Sequence, residues 1–129
     1  MTVAGNPMAD KTSKLQIAER QVDDVTVLIL TGEITLDDGE LAFGRRVDDL
    51  VLKQGRRKIL VDLGGVTYID SAGVGMMAAE LKIVRAKGGA LKLLHLAEHS
   101  HRVLAMLKLM SVFESFDDEA LAIRSFSRQ

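Results

Sequence analysis

The sequence has no cysteine, a single proline (Pro7) and few aromatic residues. The lack of cysteine excludes disulfide bonds, thiolate-bound metals and cysteine nucleophiles. Because aromatic residues make up only 4% of the chain, aliphatic side chains and methionine must fill the interior. With 129 residues, of which 47% are hydrophobic, the chain is long enough and apolar enough for one domain around one core.

The chain also lacks an excess of charge, a long apolar run and a secretory leader. The formal net charge of −1 gives no sign of a broad nucleic-acid surface. No apolar segment approaches the roughly 18 residues that indicate a membrane span. The first residues, MTVAGNPMADKTSK, have neither the basic head nor the apolar middle of a signal peptide. We therefore expect a cytoplasmic protein without direct nucleic-acid binding and without membrane insertion.

The residue pattern predicts one domain over residues 14–129, preceded by a tail. Residues 1–13 are small and polar, and we interpret them as a flexible N-terminal tail in which either Met1 or Met8 is compatible with the start. From residue 15 the pattern predicts the order ββαβαβαβα, an α/β layer fold. A strand, a helix and a strand follow one another within about 40 residues, which indicates parallel strands joined by a right-handed crossover.

Several element ends are marked by turn and capping residues. The sequence places the first hairpin turn at Asp23-Asp24, and lets the first helix begin among residues 35–38 and close at Gly55. The second helix follows residue 70 and closes at Gly88-Gly89. A third helix is expected over about residues 98–110, and a fourth from residues 117–119 to Arg124.

The segment YIDSAGVGMM, residues 68–77, places Ser71 where a buried strand passes into a glycine-rich helix. In α/β folds, sites are built at the carboxyl ends of strands. One interpretation is that Ser71 caps the helix and contributes about 1 kcal/mol. Gly73 and Gly75 would each cost the helix up to about 1 kcal/mol relative to alanine, and a cap has no need of them. They favour a site at which another protein approaches the backbone closely.

Ser71 is not expected to be a catalytic nucleophile. Ile69 and Asp70 precede it, so the GxSxG elbow of serine hydrolases is absent. The phosphate-binding pattern GxxxxGK[ST] is absent as well. We therefore expect a protein that is not an enzyme and that has no cofactor of its own.

The segment HLAEHSH gathers His95, Glu98, His99 and His101 on a later connection between a strand and a helix. Their spacing matches no familiar zinc pattern. We interpret these residues as polar loop and helix-start positions and expect no metal site.

Met76 and Met77 are adjacent, so on a helix their side chains point about 100° apart and cannot both be buried equally. Val74, Met77, Leu81 and Val84 recur along one apolar helix face. We expect Met76 to be exposed beside Ser71, and expect Met76 and Val74 to provide adaptable apolar contacts for a partner.

The sequence VTYIDSAGVG, residues 66–75, resembles the signature of the STAS domain, and in particular that of anti-sigma factor antagonists. The similarity covers about residues 14–126 and implies a single-domain mixed β-sheet with helices packed mainly on one face. In that family, a serine that follows an aspartate at the start of the second helix is phosphorylated by a partner kinase. The resemblance therefore implies that Ser71 is the phosphoacceptor, Asp70 its acidic neighbour, and Gly73 and Gly75 an open approach.

Two positions near this motif differ from the common family pattern. The segment LTGEIT, residues 30–35, is similar to the family's Gly-Glu-Leu-Asp segment, with Thr35 where the aspartate usually stands. Either Asp37 or Asp38 substitutes for that carboxylate, or phosphorylation is slower or absent. Ala72 replaces a common second serine, which leaves Ser71 as the phosphoacceptor of the motif.

The resemblance implies a non-enzymatic switch. The unmodified domain would bind a kinase-type anti-sigma factor and free the sigma factor. That serine kinase would use ATP to phosphorylate Ser71 and thereby inactivate the antagonist, and a separate serine phosphatase would reset it. The alternative is a STAS subunit that docks on a transporter ATPase or a larger sensory assembly without a serine switch. A receiver-like domain phosphorylated on aspartate is a weaker third hypothesis, because the acidic pair expected after the first strand is missing.

Overall fold

Five strands form one mixed sheet in the computed structural model, which describes residues 14–36 and 38–127. The strands are β1 (Leu15–Val22), β2 (Val25–Ile34), β3 (Lys58–Ile69), β4 (Ala90–Leu94) and β5 (Ser115–Phe116). They lie side by side in chain order. β1 and β2 form an antiparallel hairpin, whereas β2, β3, β4 and β5 are parallel. The predicted tail, residues 1–13, lies outside the described residues.

The helices alternate with the parallel strands, as the sequence predicts. They are α1 (Gly39–Asp48), which a π-helical turn (Asp49–Lys53) continues, α2 (Ser71–Ala86), α3 (Glu98–Met106) and α4 (Glu119–Phe126). The order ββαβαβαβα is therefore confirmed. α1, α2 and α3 pack on one face of the sheet and α4 on the other, so the expectation of helices mainly on one face is also confirmed.

Alternation along the central strands divides the core into two layers. In β2, Leu28 and Leu30 point to the large layer beneath α1, α2 and α3, and Val25 and Val27 point to the small layer beneath α4. Successive side chains of a strand point to opposite faces, so a strand covered on both sides must be apolar at nearly every position. This is why VTVLIL in β2 reads as a continuous apolar run.

Two helix ends differ from the sequence expectation. α3 ends at Met106 rather than near Met110, because Lys108 adopts a left-handed backbone conformation with φ of 60°. The amide of Leu109 then donates to the carbonyl of Leu104, which closes the helix. α4 continues past Arg124 to Phe126, whose ring is buried in the small core layer. The left-handed cap predicted at Gly88-Gly89 is confirmed at Gly88, where φ is 81°.

Candidate functional site

Asp70 organises the junction between β3 and α2. It is the N-cap of α2, and its Oδ1 accepts a hydrogen bond of 2.9 Å from the amide of Gly73. Its Oδ2 accepts a second bond of 3.0 Å from the amide of Leu36, in the loop between β2 and α1. One carboxylate thus joins two loops that are far apart in the sequence. The interpretation of Ser71 as the cap is wrong, because the neighbouring carboxylate already fills that role.

The environment of Asp70 favours its charged form. Burial by itself would raise the pKa of this carboxyl group, but hydrogen bonds from the backbone amides of Leu36, Gly73 and Ala72 outweigh the burial. The pKa of Asp70 consequently lies below its usual range. A stable negative charge therefore sits directly beside Ser71.

Ser71 is the first residue of α2 and is exposed. Ala72, which follows it, is half-buried. Gly75 is exposed, and a Cβ atom added there would meet nothing within 4 Å, so the expectation of open space beside the serine holds at this glycine.

Gly73 has a different role from the one expected. It is buried, and a Cβ atom added to it would lie 2.2 Å from the carbonyl oxygen of Ile34 in β2. Gly73 therefore allows α2 to begin against the backbone of β2 and leaves no approach for a partner. Of the two glycines, only Gly75 faces outward.

The expectation that Val74 contacts a partner is wrong. Its side chain is fully buried in the large core layer together with Met77, as the helical spacing of these two residues requires. Met76 is only half-buried, but it packs against that core and its sulfur lies beside Gly44 of α1. Most of Met76 therefore serves helix packing rather than a free surface.

The loop before α1 lies next to this junction. Ile34 pairs with Ile69 in neighbouring parallel strands, so Thr35 follows its strand end beside Asp70. Thr35 is half-buried, and its carbonyl accepts a hydrogen bond of 3.0 Å from the amide of Glu40. Asp38 is the N-cap of α1, but its side chain makes no capping bond. Asp37, the other candidate substitute for the family's aspartate, lies outside the described residues.

An apolar hollow of about 240 Å³ opens directly beside Ser71. Its walls come from the end of β3, the start of α2 and one side of α3, and they are formed by Tyr68, Ile69, Asp70, Ser71, His99, Val103, Met106 and Leu107. Large apolar side chains at its rim are unusually exposed, with Tyr68 at 47%, Met106 at 79% and Leu107 at 42%. Apolar surface grouped in this way is typical of an interaction site.

Sequence reasoning missed these rim residues. Tyr68 lies within the recognised motif, but it is exposed on the part of β3 that continues beyond the last pair with β4, Asp62 and Leu94. Met106 and Leu107 were placed inside a longer helix, whereas α3 ends there and leaves both exposed. The exposed apolar residues around Ser71 come from β3 and from the end of α3, which are far apart in the sequence, so no local sequence pattern contains the cluster.

The three histidines lie in separate surroundings. The ring of His99 stacks on Tyr68 with 4.8 Å between centroids, and its Nε2 is 3.3 Å from the carbonyl oxygen of Ile69. Because a carbonyl oxygen can only accept, Nε2 carries the hydrogen. His95 instead contacts Asp62 at 3.1 Å, and His101 is exposed. Across residues 14–36 and 38–127, no group of three or more His, Asp or Glu side chains is arranged to hold a metal ion.

In the same part of the chain, none of the helices has the length and apolar character needed to cross a membrane.

Comparison with known proteins agrees with the motif and with the fold. A family model described as "Mlab, STAS domain" matches residues 17–114. A Thermotoga maritima protein named "Putative anti-sigma factor antagonist" is 31% identical over 108 residues, which cover 84% of this chain and 95% of that protein. The chain therefore belongs to the STAS domain family, and the relative it resembles is of the anti-sigma factor antagonist type, as the motif around Ser71 predicts.

Solved structures show the same architecture. The crystal structure of a "putative anti-sigma factor antagonist" from Thermotoga maritima superimposes with a TM-score of 0.79 at 28% identity, covering 86% of this chain and 94% of that one. The Bacillus cell fate determinant SpoIIAA in its phosphorylated form gives a TM-score of 0.67 at 17% identity, with coverage of 85% and 99%. At that identity the second similarity concerns the fold alone.

Proposed function

We propose that this chain is an anti-sigma factor antagonist that works as a phosphorylation switch at Ser71. In its unmodified form it binds a kinase-type anti-sigma factor and frees the sigma factor. The kinase transfers the γ-phosphoryl group of ATP to the Ser71 hydroxyl, and the modified protein is released. A serine phosphatase restores the hydroxyl. The domain itself performs no catalysis in this cycle.

The observation that carries the proposal is that Asp70 and Ser71 have separate roles at the start of α2. Asp70 makes the capping bond of α2, so the hydroxyl of Ser71 is not needed for the fold. Ser71 is exposed, and Gly75, one turn further along the same face of α2, leaves open space. A kinase active site needs both an accessible hydroxyl and room for its own backbone.

The hollow beside Ser71 supports binding of a protein partner. Tyr68, Met106 and Leu107 present apolar surface at its rim, and Asp70 supplies a fixed negative charge at its edge. A phosphate on Ser71 would add about −1.5 to −2 charges at this rim. A partner surface that buries the neutral hydroxyl beside apolar side chains would lose affinity, because a desolvated charge without a partner costs several kcal/mol.

The decisive experiment combines intact mass measurement with binding. Incubation with the host's anti-sigma kinase and ATP should add one phosphoryl group to the wild type and none to Ser71→Ala. Ser71→Asp should bind the kinase at least tenfold more weakly than the wild type, which corresponds to about 1.4 kcal/mol, with an unchanged circular dichroism spectrum. Ser71→Ala should bind and resist release by ATP.

Ser127, exposed at the end of α4 on the opposite face of the sheet, provides the matched control. Ser127→Asp should bind as the wild type does. Equal binding of Ser71→Asp and the wild type, or equal release of Ser71→Ala and the wild type by ATP, would refute the switch.

One observation favours the alternative of a docking subunit on a transporter ATPase or a sensory assembly. Thr35 stands beside Asp70 where the family pattern has a carboxylate, so this position supplies no acidic neighbour to the phosphoacceptor. In this case the hollow beside Ser71 would bind its partner with the same affinity in the presence and absence of ATP, and intact mass would show no modification.

A further inference from the structure

Two carboxyl groups lie together at the seam between α1 and α2, further along α2 than Ser71. Glu80 is 3% exposed, and Asp48 of α1 is half-buried. Oε1 of Glu80 and Oδ1 of Asp48 are both buried, and neither has a hydrogen-bond donor among the described residues when both groups are ionised. A buried acceptor without a donor is costly, and more so when it is charged.

The packing of the helices forces these groups together. A Cβ atom added to Gly44 of α1 would lie 2.7 Å from the sulfur of Met76 and 3.4 Å from Oε2 of Glu80. Gly44 thus gives the side chains of α2 room to enter the seam. Asp48 lies one helical turn after Gly44, and Glu80 lies one turn after Met76. The two carboxyl groups therefore meet one turn further along the contact between α1 and α2.

The groups that face the pair supply little positive charge. α1 contributes Arg45, and the π-helical turn contributes Asp49 and Lys53, all of which line a surface hollow together with Asp48. α2 contributes Lys82, which is exposed. β2, β3 and β4 present an aliphatic layer beneath the helices, in which the buried Thr26 is uncharged. On α3, Arg102 and Glu98 are exposed and pair with each other. Within residues 14–36 and 38–127, no basic side chain forms an ion pair with Glu80 or Asp48.

We propose that Glu80 keeps its proton at neutral pH and donates it in a hydrogen bond to Asp48, so that this acid pair fastens α1 to α2 in a pH-dependent way. One proton satisfies both orphaned oxygens and removes the repulsion between two carboxylates. Loss of the proton in mildly alkaline solution would leave two negative charges in the seam and weaken the contact between the helices.

The electrostatics of Glu80 agree with this geometry. Burial, followed by the hydrogen bond and the charge of Asp48, raises the pKa of Glu80 to about 8. An acid whose pKa in the folded protein lies above its unfolded value stabilises the fold fully below the unfolded pKa. That stabilisation is lost as the pH rises towards the folded pKa, here from about 4.5 to about 8. Over this range, one proton changes the unfolding constant by up to about tenfold per pH unit.

The test is urea unfolding between pH 6 and pH 9, with wild type, Glu80→Gln and a matched control. We expect the unfolding constant of the wild type to rise by up to about tenfold per pH unit and to level off above about pH 8. Glu80→Gln should lose at least half of this slope. Glu98→Gln, whose side chain is 86% exposed on α3, should keep the slope of the wild type. An unchanged slope in Glu80→Gln would overturn the proposal.

Two further measurements cover the case in which Glu80→Gln does not fold. Asp48→Asn provides an amide donor to an ionised Glu80, so its slope should also decrease. Side-chain carboxyl NMR of the wild type should reveal one glutamate with a midpoint near pH 8, and this midpoint should fall in Asp48→Asn. If every glutamate of the wild type titrates near its ordinary value, Glu80 is ionised at neutral pH and the proposal is wrong.

Discussion

Gly73 and Gly75 provide a comparison in which the same substitution should have opposite effects. Both lie early in α2, and local helix propensity favours alanine over glycine at each by up to about 1 kcal/mol. At Gly75 the new methyl group would meet nothing within 4 Å. Gly75→Ala should therefore leave the free energy of unfolding unchanged or raise it by up to about 1 kcal/mol.

At Gly73 the new methyl group would lie 2.2 Å from the carbonyl oxygen of Ile34, and 2.9 Å from Cγ1 of Ile69. Relief requires a backbone shift of roughly 1 Å, since overpacking of this kind forces such movement at about 1–3 kcal/mol. The shift also endangers the hydrogen bond of 3.3 Å from the amide of Asp70 to the same carbonyl, worth about 0.5–1.5 kcal/mol. After the gain in propensity, Gly73→Ala should lower the free energy of unfolding by about 1–3 kcal/mol.

Urea denaturation of both variants at one pH, followed by circular dichroism, measures the two effects. Equal m-values would confirm that the change lies in stability rather than in the denatured state. A Gly73→Ala variant as stable as Gly75→Ala would refute the reasoning, because it would show that the start of α2 moves away from β2 at no cost. In the proposed switch, Gly75→Ala should also slow phosphorylation of Ser71 while the fold stays intact.

Two further predictions concern the cap and the rim of the hollow. Asp70→Ala should cost about 0.5–2 kcal/mol of stability through the lost cap. Because the pKa of Asp70 is depressed, the wild type should lose this contribution as the pH falls through that pKa. Asp70→Ala should therefore lose less stability than the wild type when both are unfolded by acid. A variant whose acid sensitivity matches that of the wild type would contradict the role of this carboxylate. Met106→Ser, at a side chain 79% exposed beside Ser71, should weaken binding of the proposed kinase partner with little change in stability, whereas Leu121→Ser, 51% exposed on α4, should bind normally. Equal affinities of these two variants, measured by titration calorimetry, would place the contact surface elsewhere.

The fold could be predicted from the sequence because the strands and helices are marked by local patterns of residues. The apolar run in β2, the helical spacing of Met77, Leu81 and Val84, and the glycine at position 88 are local signals, and each led to the observed element. The position of the site at the end of β3 follows from the parallel topology. The ends of helices were harder to predict. The left-handed turn that ends α3 lies at Lys108, and lysine has no preference for that backbone conformation.

The roles within the site depend on contacts between distant segments, which the sequence does not display. Gly73 and Gly75 have the same local sequence context. They differ because the carbonyl of Ile34 lies against Gly73, whereas Gly75 has open space around it. Asp70 and Ser71 are both good capping residues. The carboxylate of Asp70 accepts from the amides of Gly73 and Leu36 with one oxygen each, whereas a hydroxyl has a single oxygen. Val74 could have been placed correctly, because its spacing from Met77 and Leu81 already assigned it to the buried face.

The separation of cap and phosphoacceptor determines where the free energy of the proposed switch can arise. A phosphate on Ser71 would meet the positive end of α2, which favours an anion by about 0.3–1 kcal/mol at an exposed site. The carboxylate of Asp70 opposes this phosphate, since it is held ionised beside Ser71 and already accepts the hydrogen bond from the amide of Gly73. These two effects have opposite signs, and the first is small, so we expect modification neither to strengthen nor to break the fold. A tenfold or larger change in affinity then has to come from the surface that the partner buries, which in this proposal is the rim formed by Tyr68, Met106 and Leu107.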